Sequence, residues 1–245
     1  MIEYPAPDLN LLSGTIAIGS ATIAFLIYQF IFSSSQINNW LKDKFASTKI
    51  YKRKILYHRI LGGILYGLIP FLIILFVFRR PLSHYGFSTE YLGKSILWWI
   101  PIALLVILMT YPGAKSEKNL AMYPQIRVSE WNRGLLITSA LSWITYLIGY
   151  EFLFRGFLLF TCLESFGYWP AIIINLCLYS LFHLHKGARE AFGSLFFGFL
   201  LCYLTLYLGS FWFAFFAHIT MALSNEWFSL GMQPDMKLIK TNRDK

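Results

Sequence analysis

Ser139-Ala-Leu-Ser-Trp-Ile-Thr-Tyr-Leu-Ile-Gly-Tyr-Glu-Phe-Leu-Phe-Arg-Gly-Phe-Leu-Leu-Phe160 is an apolar run long enough to cross a bilayer, interrupted by two charges. A carboxylate and a guanidinium at that depth each cost several kcal/mol unless they are paired or solvated in a cavity. Glu151 and Arg155 are four residues apart, so on a helix they share one face and can pair. Two readings follow. One is a salt bridge that pins neighbouring helices; the other is a reactive carboxylate in a polar pocket, because ionisable groups inside a membrane are functional by default.

The rest of the chain extends the membrane setting of this stretch. Of its 245 residues 57% are hydrophobic, 19% aromatic and only 13% charged, against roughly 25% charged in a soluble domain. A span needs about 20 apolar residues. Runs near 11–33, 57–79, 92–111, 134–163, 168–185, 190–208 and 211–231 meet or approach that length. The expected fold class is therefore all-α, a polytopic transmembrane helix bundle with about seven membrane spans, forming a single membrane domain over 1–245. The fourth run is too long for one bilayer thickness and is expected to tilt or protrude.

The net charge of +9 is concentrated between the runs. Lys42, Lys44, Lys49, Lys52, Arg53, Lys54 and Arg59 fall in the first loop. Lys115, Lys118, Arg127 and Arg133 fall in the third, Lys186 and Arg189 in the fifth, and Lys237, Lys240, Arg243 and Lys245 in the tail. With seven spans all of these lie on one side, which the positive-inside rule makes cytoplasmic. The N-terminus is then outside and the C-terminus inside, with Arg79 and Arg80 snorkelling to the outer interface. Anionic lipid accounts for the basic charge, so no nucleic-acid partner is expected. The acidic start Met1–Asp8 lacks the basic region of a cleavable signal peptide.

Trp98, Trp99, Trp169 and Trp212 near one interface, and Trp40, Trp131 and Trp227 near the other, read as an aromatic belt. Cys162, Cys177 and Cys202 lack metal-type spacing and read as small packing residues. Gly63-x-x-x-Gly67 is a candidate helix-packing face. Pro70 and Pro101 are candidate kinks.

Two polar residues join Glu151 and Arg155. His183 ends the fifth run and His218 lies in the seventh, whereas His58 reads as interfacial and His84 as a loop residue. At 1.5 Å per residue, Glu151 is about 18 Å and His183 about 20 Å from the outer ends of their antiparallel helices. They therefore reach similar depth. His218 is only about 10 Å from the start of its helix, and meets them only if the turn at Gly209-Ser210 is set below the surface or the helix tilts. The carboxylate can act as a general base toward water, and an imidazole can donate to an oxyanion. Alternatively, Glu151, His183 and His218 form an open Zn²⁺ site that activates water. Arg155 holds Glu151 ionised. Its positive charge favours the version without a cofactor.

Tyr150-Glu-Phe-Leu-Phe-Arg-Gly156, Tyr179-x-x-x-His183 and His218-x-x-x-Ala222 together resemble the CAAX-protease and bacteriocin-processing family of intramembrane proteases. That family shows Glu-Glu-x-x-x-Arg-Gly, Phe-x-x-x-His and His-x-x-x-Asn in this order. Tyr85-Gly-Phe-Ser88 is similar to a further family feature, and the resemblance covers roughly 85–230. It implies hydrolysis of a peptide bond in a membrane-tethered or hydrophobic peptide. Glu151 would activate water, with His183 and His218 at the oxyanion, and Phe154, Tyr179 and Asn225 against the substrate. The expected location is the bacterial cytoplasmic membrane.

Two positions depart from the pattern. Tyr150 replaces the first Glu, which in the family generally activates the water, and Ala222 replaces the Asn. The Tyr150 hydroxyl is expected to orient the carboxylate or to donate to an oxyanion. Asn225 is expected to return to roughly the side of His218. These departures keep open a catalytically altered relative that acts as a peptide-binding, immunity or scaffold protein. A small proton-coupled transporter is disfavoured by the lack of an inverted repeat.

Overall fold

The computed structural model of the protein describes residues 8–44 and 47–240. The acidic start up to Pro7, and Arg243 and Lys245 of the basic tail, lie outside the described residues, as do the side chains of Lys42, Lys44, Lys49 and His185. Helix α1 (Leu9–Ser33) starts at Asp8, whose carboxylate accepts from the Asn10 amide at 2.8 Å, a cap that satisfies one of the first-turn donors. Then come α2 (Ser35–Lys44) and α3 (Ser47–Leu72), which runs into a π-helical turn at Ile73–Phe78. A 3-10 turn at Leu82–Tyr85 leads to α4 (Leu92–Gly113) and the short α5 (Glu117–Met122).

Strand β1 (Glu130–Trp131) precedes α6 (Arg133–Glu151), which Asn132 caps by accepting from the Leu135 amide at 2.8 Å. Helix α6 passes through a π-helical turn, Phe152–Leu158, into α7 (Leu159–Phe166) without a break. The overlong fourth run is thus one continuous helix, Arg133–Phe166, of 34 residues. The chain goes on through α8 (Tyr168–His183), α9 (Ala188–Leu208), α10 (Trp212–Met232) and β2 (Lys237–Leu238), which pairs in parallel with β1.

The molecule is an all-α bundle, and the seven expected spans correspond to α1, α3, α4, α6–α7, α8, α9 and α10. By length and apolarity, five described helices suffice to cross a membrane: Leu9–Ser33, Lys52–Phe78, Leu92–Gly113, Arg133–Phe166 and Ala188–Leu208. Helix α8 has only 16 residues. Helix α10 has 21 but carries His218, Thr220, Ser224, Asn225, Glu226 and Ser229. Those polar groups are affordable because α10 is packed among α4, α6 and α9. His218, Ser224, Glu226 and Ser229 are all buried.

Helix α6 is buried against α3, where the Gly63/Gly67 face does pack. A Cβ on Gly63 would sit 2.4 Å from the Thr145 carbonyl oxygen, and one on Gly67 would sit 3.4 Å from the Gly149 Cα. At Gly63 only glycine lets the two backbones approach so closely, whereas a Cβ at Gly67 would make an ordinary contact.

Several sequence expectations are corrected. Trp131 is fully buried in a small cluster with Ile126, Leu135 and Leu230, so it is a core residue and not part of a belt. Trp99 and Trp212 are half-buried and spend their indole N–H groups on Thr220 Oγ1 (2.9 Å) and the Ser88 carbonyl (3.1 Å). Cys177 is exposed, unlike Cys162 and Cys202. Arg59, read as a loop cation, is buried inside α3, and so is His58, which packs tilted against Phe32 with ring centroids 4.3 Å apart.

The depth of α10 decides whether a site exists. Gly209, at φ 64, closes α9 in the left-handed region that glycine adopts without cost. The following Ser210 and Phe211 are fully buried. The segment Gly86–Ser88 lies across them: the Phe211 amide donates to the Gly86 carbonyl at 3.3 Å. Helix α10 therefore begins beneath a roof of protein, and its first two turns carry His218 down to the level of Glu151.

Candidate active site

Glu151 is the last residue of α6 before the π-helical turn. Such turns leave a carbonyl without its usual helical partner and occur frequently at functional sites. Here Asn175 of α8 donates its side-chain N–H to the Phe154 carbonyl at 2.6 Å, and accepts at its own Oδ1 from the Cys202 thiol at 3.2 Å. Asn175 thus fixes the turn that sets the Glu151 and Arg155 side chains. All four side chains are buried.

The pair read from the sequence forms. Arg155 NH1 is 3.4 Å from Glu151 Oε2, and its guanidinium carbon lies 4.1 Å from the Tyr179 ring centroid. The other carboxylate oxygen, Oε1, is 2.5 Å from His218 Nδ1. A charge-assisted bond of this kind is about twice as strong as a neutral one. With the carboxylate accepting, Nδ1 carries the proton and His218 Nε2 presents a lone pair. His183 is oriented in the same way: Nδ1 donates to the Tyr179 carbonyl at 2.8 Å, which leaves Nε2 free.

A cavity of about 660 Å³ takes in Tyr150, His183, His218, Ala222 and Asn225. His218, Met221, Ala222 and Asn225 form one wall, as their spacing on α10 requires. Lys118, Arg127, Lys186 and Arg189 line the same cavity. Tyr150 lies between the two histidines, its ring centroid 5.8 Å from His218 and 6.5 Å from His183. Its hydroxyl makes no hydrogen bond to any described residue, so it does not orient the Glu151 carboxylate.

Three expected roles change. Glu151 is fully buried and absent from the cavity lining, so its carboxylate reaches the cavity only through His218. Phe154 and Tyr179, expected against substrate, are also buried and do not line the cavity. Phe154 stacks edge-on with Tyr179 (5.5 Å) and Phe182 (4.9 Å), so both rings serve as packing around Arg155. Among the described residues no three His, Cys, Asp or Glu side chains gather as a metal-binding group, and Glu151 Oε1 already faces an imidazole nitrogen.

A second buried ion pair lies outside the sequence motifs. Arg59 NH2 is 3.2 Å from Glu226 Oε1. Its NH1 donates to Ser139 Oγ and Ser142 Oγ, each at 3.0 Å, and NH2 also donates to Gln125 Oε1 at 3.0 Å. Its guanidinium carbon is 3.9 Å from the Trp143 ring centroid. Ser139 Oγ donates to Glu226 at 2.8 Å. Glu226 and Asn175 carried the same signal as Glu151, a polar group within an apolar run. Arg59 was masked by the basic run before it.

No curated protein and no solved structure matches the chain. Residues 132–224, the segment that contains Glu151, Arg155, His183 and His218, match the family model Type II CAAX prenyl endopeptidase Rce1-like, a similarity that covers the segment in which the motifs lie.

Proposed function

We propose that the protein is an intramembrane endopeptidase that hydrolyses a peptide bond of a membrane-associated protein or peptide, with Glu151 and His218 acting as one base. The observation that carries this reading is the 2.5 Å contact between Glu151 Oε1 and His218 Nδ1, on the wall of a cavity shared with His183. His218 Nε2 takes a proton from water, and Glu151 fixes the tautomer and stabilises the imidazolium that forms. A buried carboxylate serves a base histidine in the same way in serine hydrolases. Arg155 favours the ionised form of Glu151. General-base assistance of this kind contributes about 10²–10⁴-fold.

The substrate is a hydrophobic or lipid-tethered peptide. The basic residues that line the cavity, Lys118, Arg127, Lys186 and Arg189, support a cytoplasmic opening. The N-terminus is then outside and the C-terminus inside, in a bacterial cytoplasmic membrane.

Glu151→Gln keeps shape and an acceptor for Nδ1 but loses the charge. Peptide cleavage by the folded variant should fall by about 10² or more, and His218→Ala should be as damaging, because groups acting as a unit are not additive. Full activity in Glu151→Gln would refute the base pair. Activity lost to a chelator and restored by Zn²⁺ would instead favour a metal. Tyr150 and Ala222, which stand where the family has Glu and Asn, motivate a second reading: a peptide-binding relative. Tight peptide binding without cleavage by the wild type would support it.

A further inference from the structure

The cavity that holds His183 and His218 is cationic. Arg59, Lys118, Arg127, Lys186 and Arg189 line it, against a single acid among its described lining residues, Glu190. Arg59 is neutralised by Glu226 and engaged by Gln125, Ser139 and Ser142. The other four form no ion pair with a described residue: every such pair involves Arg59, Arg80, His84, Arg155, His218 or Lys237. Arg127 donates from NH2 to the Leu120 carbonyl at 2.7 Å. Arg127 and Lys186 are half-buried, and Lys118 and Arg189 are exposed.

Topology alone does not account for this convergence. The positive-inside rule favours cations on one side of the membrane, but it does not gather them in a cavity. Lys54, Lys115 and Lys237 belong to the same side of the proposed topology and stay off the lining. Lys54 lies 5.5 Å from the Phe32 ring centroid, Lys115 5.1 Å from that of Tyr111, and Lys237 3.6 Å from Glu130. The four cavity cations come from two segments, residues 118–127 and 186–189, that meet at one cavity. Like charges in a cleft with apolar walls focus the field and concentrate ligands of opposite sign. Lys186 is three residues beyond His183 along a 3-10 turn, about 6 Å at 2.0 Å per residue. An extended peptide rises about 3.3 Å per residue. A carboxylate two or three residues from a bond held at the histidines therefore reaches Lys186.

We infer that this cavity selects peptides carrying a carboxylate beside the scissile bond, with Lys118, Arg127, Lys186 and Arg189 as its counter-charges. The inference rests on the reading of the cavity as a peptide site. The recognised group is a carboxylate, of an Asp or Glu side chain or of a peptide C-terminus. The same four charges repel a basic peptide.

The test uses the full chain in a neutral detergent and one lipid-anchored, fluorescent peptide. It is made with Glu, Gln or Lys flanking a central bond and amidated at its C-terminus; the Gln peptide is also made as the free acid. Anisotropy reads binding, and mass spectrometry reads cleavage. A carboxylate should tighten binding about tenfold over the Gln amide, the scale of two or three partly exposed ion pairs, and the Lys peptide should bind most weakly. A gain for the Glu peptide identifies a side chain as the source, and a gain for the free acid identifies the terminus. The differences should shrink between about 0.05 and 0.5 M salt, as the Debye length shortens. Lys118→Gln should reduce the preference about two- to threefold. Lys186→Glu with Arg189→Glu should reverse it, so that the Lys peptide binds best, a gain that an unfolded variant cannot show. Equal affinity of all four peptides for the wild type would overturn the inference, as would an unchanged order in the folded double variant. Equal affinity together with phosphatidylglycerol retained by the wild type and lost from the double variant would assign the cations to anionic lipid instead. Cleavage without charge preference would leave the protease reading standing, and charge-selective binding without cleavage would uphold the inference and refute the protease reading.

Discussion

Glu226 and Glu151 are both buried carboxylates on membrane helices, yet their surroundings differ in kind. Glu226 accepts from Arg59, from Ser139 and from the Gln125 amide. Every lone-pair direction has a donor, and the network ties α3, α6, α10 and the segment before β1 together. Glu151 has one short bond to an imidazole at a cavity, and its second oxygen meets Arg155 at 3.4 Å without a hydrogen bond. A saturated carboxylate rigidifies, whereas an incompletely saturated one beside a titratable group can exchange protons. Removing one member of the saturated pair leaves an uncompensated buried charge. Arg59→Met should therefore cost about 3–5 kcal/mol, and Arg59→Met with Glu226→Leu should recover most of that loss. Unfolding midpoints in detergent check this; equal stability of Arg59→Met and wild type would show that the pair contributes nothing net.

Among the elements, the α3–α6 seam positions the site. A Cβ on Gly149 would lie 2.5 Å from the Gly63 carbonyl oxygen, backbone against backbone. Neither helix can yield locally, so Gly149→Ala must push them apart two residues before Glu151. The expected destabilisation is about 1–3 kcal/mol, as for other overpacked sites, together with a loss of cleavage. Gly19, on α1, has nothing within 4 Å of an added Cβ. There Ala should be neutral or stabilising by up to about 1 kcal/mol, from helix propensity. Similar effects at both positions, in unfolding and in turnover, would disprove the seam's role. The π-helical turn after Glu151 depends on a different element, through the Asn175 bond to the Phe154 carbonyl.

For the molecule as a whole, charge is sorted between the two ends of the bundle. Lys118 of α5 and Arg127 beyond it, with Lys186 and Arg189 at the junction of α8 and α9, come from two segments far apart in sequence yet line one cavity. Of the two cationic residues expected at the other end, Arg79 and Arg80, the second is paired. Arg80 is 2.5 Å from Glu164, and His84 also contacts Glu164, so one carboxylate offsets Arg80 and holds the Leu82–Tyr85 turn to α7. Reporter fusions should accordingly place residues 34–56 and the C-terminus in the cytoplasm and the N-terminus outside. An external C-terminal reporter would invert the arrangement and turn the cavity toward the other compartment.

Much of this molecule follows from composition and spacing alone. Apolar runs with few charges must become helices in lipid, because no other open structure satisfies the backbone there. The i,i+4 spacing of Glu151 and Arg155 put them on one face, and His218, in the last of the ordered motifs, meets Glu151. Other features depended on contacts that no local pattern encodes. Arg59 belongs to a basic run by sequence, but it is drawn inside because Glu226, 167 residues away, needs a counter-charge. Phe154 and Tyr179 sit in motif positions, yet the π-helical turn and Asn175 leave them in the core. Whether His218 meets Glu151 depended on the depth of the turn at Gly209, across which Gly86–Ser88 lies. Periodicity determines which face of a helix is polar; the partner that face meets, and at what depth, is settled only when distant segments pack.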